Sequence, residues 1–481
     1  MDARSLADLL RSMKDEGHPM LWHVLLYAGY AVTSCKQTLP VVSGLIAGAS
    51  VSIFVFKSPF PLWLKAMFVL GALPLYEYSV MARNYGISML LLFLFAQMYA
   101  SRRQHPIRLG MTLALLCNTN IHSLILAALL MALWFWDFFV REGASPLSRE
   151  ARPLYLAVAI VSLGAVTALW TLWPTGQNLP ADAIRCTVPD VIKALGATLR
   201  DPATAFPNIA PRAPGFLAVS AGLLLVCSTL GLVLQPALLA VAWLGLVALS
   251  VFFQVVYRGS LRHQGLFAVF LVALYWIALA SRGVPRRHNL ANAVARVGLF
   301  VGLPGLLAIL IATGGYKIYM DLAHEQSASK AFGAFLGIRP QYAGSILIGE
   351  PDYFLESVHY YAPNPIYIVR EQRFGNTVRF TRTAAKDLGM RDLLRIAWDV
   401  HTREDKSVLI ALGHQPELAP RSPPPDDPPL HSISYSFGRT FSWSRDDLRV
   451  WNSCTRPLEE FAQGVIGDEV YGVYELVAPP R

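Results

Sequence analysis

The sequence predicts an α-helical polytopic membrane protein with about ten spans and outer interfacial helices, followed by a small C-terminal α/β extracytoplasmic domain. Of its 481 residues, 54% are hydrophobic and 15% are charged, and the mean hydropathy is +0.42. Soluble globular proteins carry roughly 25% charged residues. Residues 1–320 hold 24 Lys and Arg against 11 Asp and Glu, whereas residues 321–481 hold 17 against 21. Because the excess cations lie between apolar runs, the basic pI does not indicate nucleic-acid binding.

The apolar runs of the N-terminal segment are too short to span a membrane. Over residues 4–14, leucines and a methionine recur at helical spacing with charged residues opposite, which predicts an amphipathic helix in the interface. A short apolar run over residues 20–32 follows Pro19, a residue favoured at the first position of a helix. We therefore assign residues 1–38 to interfacial helices of an outer loop.

Residues 39–314 form the predicted transmembrane domain, because their apolar runs are long enough, or nearly so, to cross roughly 30 Å of hydrocarbon. The runs are 39–56, 60–76, 85–100, 107–117, 121–139, 154–173, 214–234, 236–257, 266–280 and 295–314. Lys and Arg cluster in alternate connections, and such basic loops are retained in the cytoplasm. Both termini then face outward. A polar N-terminus outside normally needs a preceding span, so we expect one upstream of Met1.

Residues 315–481 predict a soluble α/β domain, because short β-type runs alternate with helical stretches. The β-type runs are 345–349, 366–370 and 407–412, and the helical stretches lie near 352–361 and 384–400. A Pro- and Asp-rich segment over 416–429 is typical of an extended loop. The domain carries no Gly-rich phosphate loop, nucleophile motif or metal-ligand spacing, so we assign it no chemistry.

Three polar segments on the predicted outer face contain the candidate site, since ionisable side chains near membrane depth are costly. In the first, Glu16 and His18 stand two residues apart at a helix start. They are the predicted catalytic residues, able to accept a proton or to hold an anionic group. The alternative is structural: Glu16 caps a surface helix and His18 is interfacial.

The second and third segments supply the predicted substrate-binding residues. They are Glu77, Arg83, Tyr85, Arg258, Arg262 and His263. A guanidinium offers a planar fork to a phosphate or sugar, although Glu77 and Arg83 could instead pair across a turn. Cations on the outer side have no explanation in the positive-inside rule, so they favour an anion site. A polar cluster over residues 118–122 is interpreted as satisfying the backbone between two short spans.

These segments resemble those of a known enzyme family. SLADLLRSMKDEGHPMLW, YEYSVMARNYG, CNTNIHSLI and YRGSLRHQGLF are similar, in order and sidedness, to segments of bacterial GT-C glycosyltransferases. These are polyprenyl-phosphate-sugar-dependent membrane enzymes related to protein O-mannosyltransferases. The matching segments cover most of residues 1–280, and the C-terminal domain resembles the variable extracytoplasmic domain that many such enzymes carry.

The resemblance implies an inverting transfer of a sugar from a polyprenyl-phosphate donor to a glycan, lipid or protein acceptor. The reaction would take place on the extracytoplasmic face of the bacterial inner membrane. No Asp/His cluster in the sequence demands a metal, so we expect no metal or other cofactor. Glu16 and His18 match the loop element beside the active site. Glu77, Arg83 and Tyr85 match the second-loop segment, and Arg262 and His263 match an Arg-His element near the donor phosphate.

The sequence departs from the family at its start. The family's catalytic acid sits in an Asp-Glu pair just after the first span, so we expect that pair upstream of Met1 and read Asp2 as a later residue of the same loop. Otherwise Glu16 or another carboxylate has taken the role. Two other classes stay open: a transporter or flippase of lipid-linked substrates, and a non-catalytic protein of envelope assembly. A transporter predicts inverted repeats and charges near the midplane, and the sequence shows no such repeat.

Overall fold

A computed structural model of the chain describes residues 5–13, 17–173, 186–210, 216–282, 289–413, 431–462 and 469–480. The chain divides into two compact units, with the boundary between Ile318 and Tyr319. The first unit is helical, and the second contains the strands. Because the predicted outer-loop base Glu16 and the Pro-rich segment 416–429 lie outside the described residues, the structure gives no account of either.

The helical unit contains α1 to α13 and the part of α14 up to Ile318. Their bounds are α1 Leu6–Ser12, α2 Leu21–Thr33, α3 Thr38–Lys57, α4 Leu62–Val69, α5 Tyr85–Tyr99, α6 Pro106–Cys117, α7 Ile121–Phe135, α8 Arg152–Leu172, α9 Val188–Arg200, α10 Phe216–Thr229, α11 Pro236–Val255, α12 Leu261–Arg282, α13 Leu290–Val297 and α14 Leu303–Ala323. Single turns of π-helix follow α4, α7 and α13, at Leu73–Glu77, Trp136–Arg141 and Gly298–Gly302.

Long apolar helices in the structure support the prediction of a membrane protein. Six helical stretches among the described residues are long and apolar enough to cross a membrane. They are Thr38–Lys57, Ile121–Arg141, Arg149–Leu172, Pro236–Val255, Leu261–Ser281 and Leu290–Ala323. Others are apolar but shorter: α5 has 15 residues and α6 has 12. At about 1.5 Å per residue, α5 is roughly 22 Å long, less than a hydrocarbon core. The total of ten spans and their sidedness stay predictions.

Local sequence explains where several of these helices begin. Pro106 and Pro236 open α6 and α11, positions at which the missing N–H of proline costs nothing. Asn120 caps α7, where its Oδ1 accepts a hydrogen bond from the Ser123 N–H at 2.9 Å. The sequence analysis did not predict α9, because its charged residues interrupt any apolar run.

Helix α12 is the centre of the helical unit. Its side chains from His263 to Leu279 are buried on every face of the helix, with α5, α7 and α11 packed around it. Helices α6 and α8 pack closely, because Gly110 faces Ala157 and Gly164 faces Ala114. Small residues at such crossings let the backbones of membrane helices approach.

The second unit contains α15 Ser329–Ile338, α16 Val358–Tyr361, α17 Met390–Glu404 and α18 Arg445–Cys454 together with the strands. The strands are β1 Ile346–Glu350, β2 Tyr367–Ile368, β3 Arg373–Phe374, β4 Asp387–Gly389, β5 Val408–Leu412, β6 His431–Ser434, β7 Thr440–Trp443, β8 Thr455–Phe461 and β9 Tyr471–Leu476. The main sheet has the order β1-β5-β9-β8, a second sheet has the order β4-β7-β6, and β2 pairs with β3.

The main sheet contains one parallel pair of strands. Strand β1 runs parallel to β5, with Ile346 opposite Val408 and Glu350 opposite Leu412, while β9 is antiparallel to both of its neighbours. The predicted runs 345–349 and 407–412 correspond to the edge strand β1 and its inner neighbour β5. The helical prediction for 384–400 was wrong at its start, because residues Asp387–Gly389 pair with β7 before α17 begins.

Candidate functional site

The first turns of three helices meet at one end of the helical unit. Tyr85 begins α5, His122 lies in the first turn of α7, and His263 lies in the first turn of α12. The imidazole of His263 lies edge-on to Tyr85, with ring centroids 5.1 Å apart, and its centroid is 5.4 Å from that of His122. Tyr257, just before α12, lies 5.1 Å from the same imidazole. The second and third polar segments are therefore neighbours in space.

The turn of π-helix at Leu73–Glu77 joins this cluster to α12. The Tyr78 N–H donates to the Leu73 carbonyl at 2.9 Å, five residues back, and the Tyr78 hydroxyl donates to the Arg262 carbonyl at 2.8 Å. Gly265 allows this approach, because a Cβ there would lie 2.3 Å from a methyl carbon of Leu73. Together these contacts fix Glu77 beside Arg262.

Glu77 forms an ion pair that the sequence analysis missed. Its Oε1 lies 3.0 Å from the Nζ of Lys317 in α14, and the residue is 3% exposed. The helix can come this close because Gly314 faces Ala72, where a Cβ would lie 2.8 Å from the Ala72 Cα. The signal in the sequence was a lysine just past the last predicted span, which was taken to end at residue 314.

Glu77 and Lys317 line a cavity of about 170 Å³ together with Arg262. Met81, Asn208, Ser260, Leu261 and Thr313 complete its wall. Two cations against one carboxylate leave the lining with a net positive charge, and Arg262 is half-buried. A guanidinium and an ammonium in a partly desolvated cavity favour a phosphate or another small anion.

Hydrogen bonds orient the side chains at the start of α12. The Ser260 N–H donates to Nδ1 of His263 at 2.8 Å, so the neutral imidazole carries its proton on Nε2. Gln264 accepts a hydrogen bond from the Asn208 N–H at 2.9 Å and donates to the Gly259 carbonyl at 3.2 Å. These contacts hold the loop before α12 against residues 206–210, which border the cavity.

The first polar segment reaches the same end of the unit. His18 interacts electrostatically with His23, His122 and His263. The Leu21 N–H donates to the Asn118 carbonyl at 3.2 Å, which ties α2 to the connection before α7. The structure thus brings His18 to the end of the unit that holds Glu77, Arg262 and His263.

The other predicted binding residues are not in the cavity wall that the structure describes. Arg83 and Arg262 both interact electrostatically with Tyr85, and Arg83 is exposed. Arg258 is exposed as well, and among the described residues it is not part of the wall, although its carbonyl accepts a hydrogen bond from Gln264. Of the predicted site residues that the structure describes, Glu77 and Arg262 alone line the cavity.

The polar cluster near residue 118 has the structural role assigned to it. The Asn84 amide donates to the Thr119 carbonyl at 2.7 Å. The Ser88 hydroxyl donates to Oγ1 of Thr119 and accepts from the Ser123 hydroxyl, each at 2.9 Å. His122 differs: it is buried, and neither ring nitrogen has a hydrogen-bond partner within the described part of the chain. Its imidazole instead packs on Phe252 and Phe253.

Comparisons with known proteins assign this chain to no family. The chain matches no model of a known protein family, no curated protein and no solved structure. Within the ranges that the structure describes, no group of three His, Cys, Asp or Glu side chains could hold a metal ion. The cavity and its neighbouring side chains are therefore the features that indicate a function.

Proposed function

We propose that this protein is a membrane glycosyltransferase of the GT-C type, which moves a sugar from a polyprenyl-phosphate donor to an acceptor hydroxyl. The observation that carries the proposal is the cavity in which Arg262 and Lys317 stand beside the buried Glu77, at the end of an apolar helical unit. A donor of this kind has an anionic phosphate next to a long apolar tail. The arrangement suits such a molecule, because the phosphate would lie at the interface and the tail in the bilayer.

The cations would act on the phosphate as it leaves. When the acceptor oxygen attacks the anomeric carbon, the bond from that carbon to the phosphate oxygen breaks and negative charge grows on the phosphate. Arg262 and Lys317 are placed to stabilise this charge in a site with little water. Glu77 would keep the Lys317 ammonium in position, since its carboxylate is 3.0 Å from that group.

The proton of the acceptor hydroxyl needs a different base. A carboxylate in a close ion pair is poorly suited to accept it, because protonation would break the pair. His18 lies at the same end of the unit, and Glu16 precedes it by two residues. We therefore keep His18 and Glu16 as the residues proposed to take the proton, and Arg83, Tyr85 and His263 as residues that border the sugar.

The test uses the full-length protein in proteoliposomes with a panel of polyprenyl-phosphate sugars and a mixture of acceptors. Release of polyprenyl phosphate and binding of intact donor are measured separately. The single variants Arg262→Gln and Lys317→Gln should each lower turnover by about 100-fold, the usual loss for one group that stabilises developing charge. The control Arg152→Gln, at an exposed residue that opens α8, should keep wild-type turnover.

Two outcomes would contradict the proposal. Wild-type turnover in both cavity variants would remove the site assignment. Movement of the intact donor across the membrane without release of sugar would identify a transporter instead.

A further inference from the structure

A second polar cavity lies at the opposite end of the same helices. Helices α5, α7 and α12 all begin at the candidate site, and their last turns surround a cavity of about 330 Å³. Tyr99 and Ser281 contribute from α5 and α12, and Asp137 from the turn of π-helix after α7. From Tyr85 to Tyr99 an α-helix rises about 21 Å. The two cavities are thus separated by much of a membrane's thickness.

The polar side of this cavity is built around a buried carboxylate. Asp137 is 4% exposed, accepts a hydrogen bond from the Tyr99 hydroxyl at 3.0 Å, and lies 3.5 Å from both Arg102 and Arg141. Arg102 also pairs with Glu142, which is not in the wall. Even so, the wall itself carries two cations against one carboxylate.

One hydrogen-bond donor at this cavity lacks an acceptor among the described residues. The Nε of Arg102 is buried and has no hydrogen-bond partner among the described residues. An unmade hydrogen bond at a buried charged group is costly, so an acceptor that reached this nitrogen would gain binding energy. Arg141 is half-exposed at the same edge, with side-chain exposure of 51%.

The remaining wall is apolar and opens beside an exposed aromatic. Leu133, Leu238 and Ile277 line it, and Trp136 in the wall is 52% exposed. Tryptophan at an exposed position of an apolar helical unit is typical of the membrane interface. The cavity therefore joins a cationic pocket to an apolar wall at interfacial depth.

We propose that this cavity binds the head group of an anionic glycerophospholipid. The phosphate would accept hydrogen bonds from Arg102 and Arg141, and the first part of an acyl chain would lie along the apolar wall. Basic pockets between membrane helices recognise anionic lipid head groups through this combination of charge and apolar surface. The site is distinct from the candidate catalytic cavity and does not depend on what that cavity binds.

The test measures lipid binding to the full-length protein, purified in a mild detergent and stripped of lipid, by native mass spectrometry. Phosphatidylglycerol and phosphatidylcholine of the same acyl composition are added separately. Wild type should bind one phosphatidylglycerol with clear preference over phosphatidylcholine. Each arginine lost should weaken that binding about fivefold, as expected for one cation at an anionic lipid surface. The double variant Arg102→Gln/Arg141→Gln combines the two losses.

Two further variants separate lipid binding from folding. Ala237→Phe places a ring in the cavity and leaves every ion pair intact, so it should abolish the preferred lipid even if the double arginine variant fails to fold. Arg108→Gln is the matched control, because Arg108 is exposed near the start of α6 and is not part of the cavity wall that the structure describes. It should bind like wild type.

Three results would overturn the proposal. Equal binding of the two lipids by wild type would remove the recognition of charge. Unchanged phosphatidylglycerol binding in Ala237→Phe would show that the lipid lies elsewhere. Displacement of the lipid by millimolar inorganic phosphate would mean that the cavity takes a free phosphate ion.

Discussion

At the scale of single residues, the ion pair between Glu77 and Lys317 joins the turn of π-helix to α14. The spacing of Glu77 and Arg83 in the chain predicts a different pair, across a turn. The structure pairs Glu77 with Lys317, 240 residues away. A pair formed through helix packing has no signature in local spacing, so single-sequence reasoning finds the carboxylate but misses its cation.

A second buried ion pair, in the C-terminal unit, predicts a pH dependence. Arg370 donates from Nη2 to Glu350 at 2.6 Å and from Nε at 3.2 Å, and both side chains are almost fully buried. Burial raises the pKa of Glu350 to about 7, against the opposing effect of Arg370. Between pH 4.5, the ordinary pKa of a glutamate, and about pH 7, the folded unit therefore holds more protons at Glu350 than the unfolded chain does. Its free energy of unfolding should fall as the pH rises through this window, by up to about 3 kcal/mol.

Hydrogen exchange can measure this effect on the intact protein. Protection factors of amides in β1 and β5 should be higher at pH 5 than at pH 8 after correction for the intrinsic exchange rate. The Glu350→Gln variant removes the titrating group and should lose most of the difference. A variant that kept the full pH dependence would assign it to another group.

At the scale of elements, Gly314 decides how close α14 comes to the π-helical turn. A larger side chain at residue 314 must push α14 away from Ala72, since a Cβ there already meets the Ala72 backbone. Lys317 lies one turn farther along α14, so it would move away from Glu77. A displacement of about 1 Å at a catalytic group can cost about 100-fold in rate. We expect that loss of turnover in Gly314→Val.

The next residue offers the matched control. Gly315 has no heavy atom within 4 Å of the position of an added Cβ. Gly315→Val should therefore retain donor turnover close to wild type, while both variants express and unfold at similar temperatures. Equal losses of turnover in the two variants would point to a general effect of valine in this helix.

The elements also show what sequence could predict. The predicted apolar runs that start at residues 107, 121 and 236 begin within one residue of α6, α7 and α11, where a proline or a capping asparagine stands at the helix start. The turn of π-helix at Leu73–Glu77 and the helix α9 were missed. Wide turns depend on contacts with neighbouring helices, and α9 is an amphipathic helix within a polar connection. Local rules find helix ends more readily than interruptions inside apolar runs.

At the scale of the molecule, composition and charge distribution predicted long apolar helices and a C-terminal region with strands. The meeting of Glu77, Arg262 and His263 could not be predicted, because residues about 185 positions apart are joined only by packing around α12. The sequence supplied the candidates and the prediction that they share one membrane face. Tyr78, which bonds to the Arg262 carbonyl, was not among them.

The predicted sidedness can be tested on the whole chain. Single cysteines replace Arg258, near the candidate site, and Arg108, at the other end of the helices, in a protein whose own five cysteines are changed to serine or alanine. A membrane-impermeant maleimide should label residue 258 in intact cells and residue 108 only after permeabilisation. Labelling of both from one side, or in the reverse order, would contradict the predicted orientation.

The widened turn before Tyr78 also sets the direction in which the Glu77 side chain points. Successive residues of an α-helix are rotated by about 100°, and a turn of π-helix is equivalent to one inserted residue. If the stretch from Leu73 were ordinary α-helix, Glu77 would be turned through about that angle, away from the ammonium group it meets now. The position of the Glu77 carboxylate in the cavity therefore depends on the one extra residue of the π-helical turn. Deletion of one residue before Glu77 in this turn would direct the carboxylate away from Lys317, although every side chain that lines the cavity would still be present.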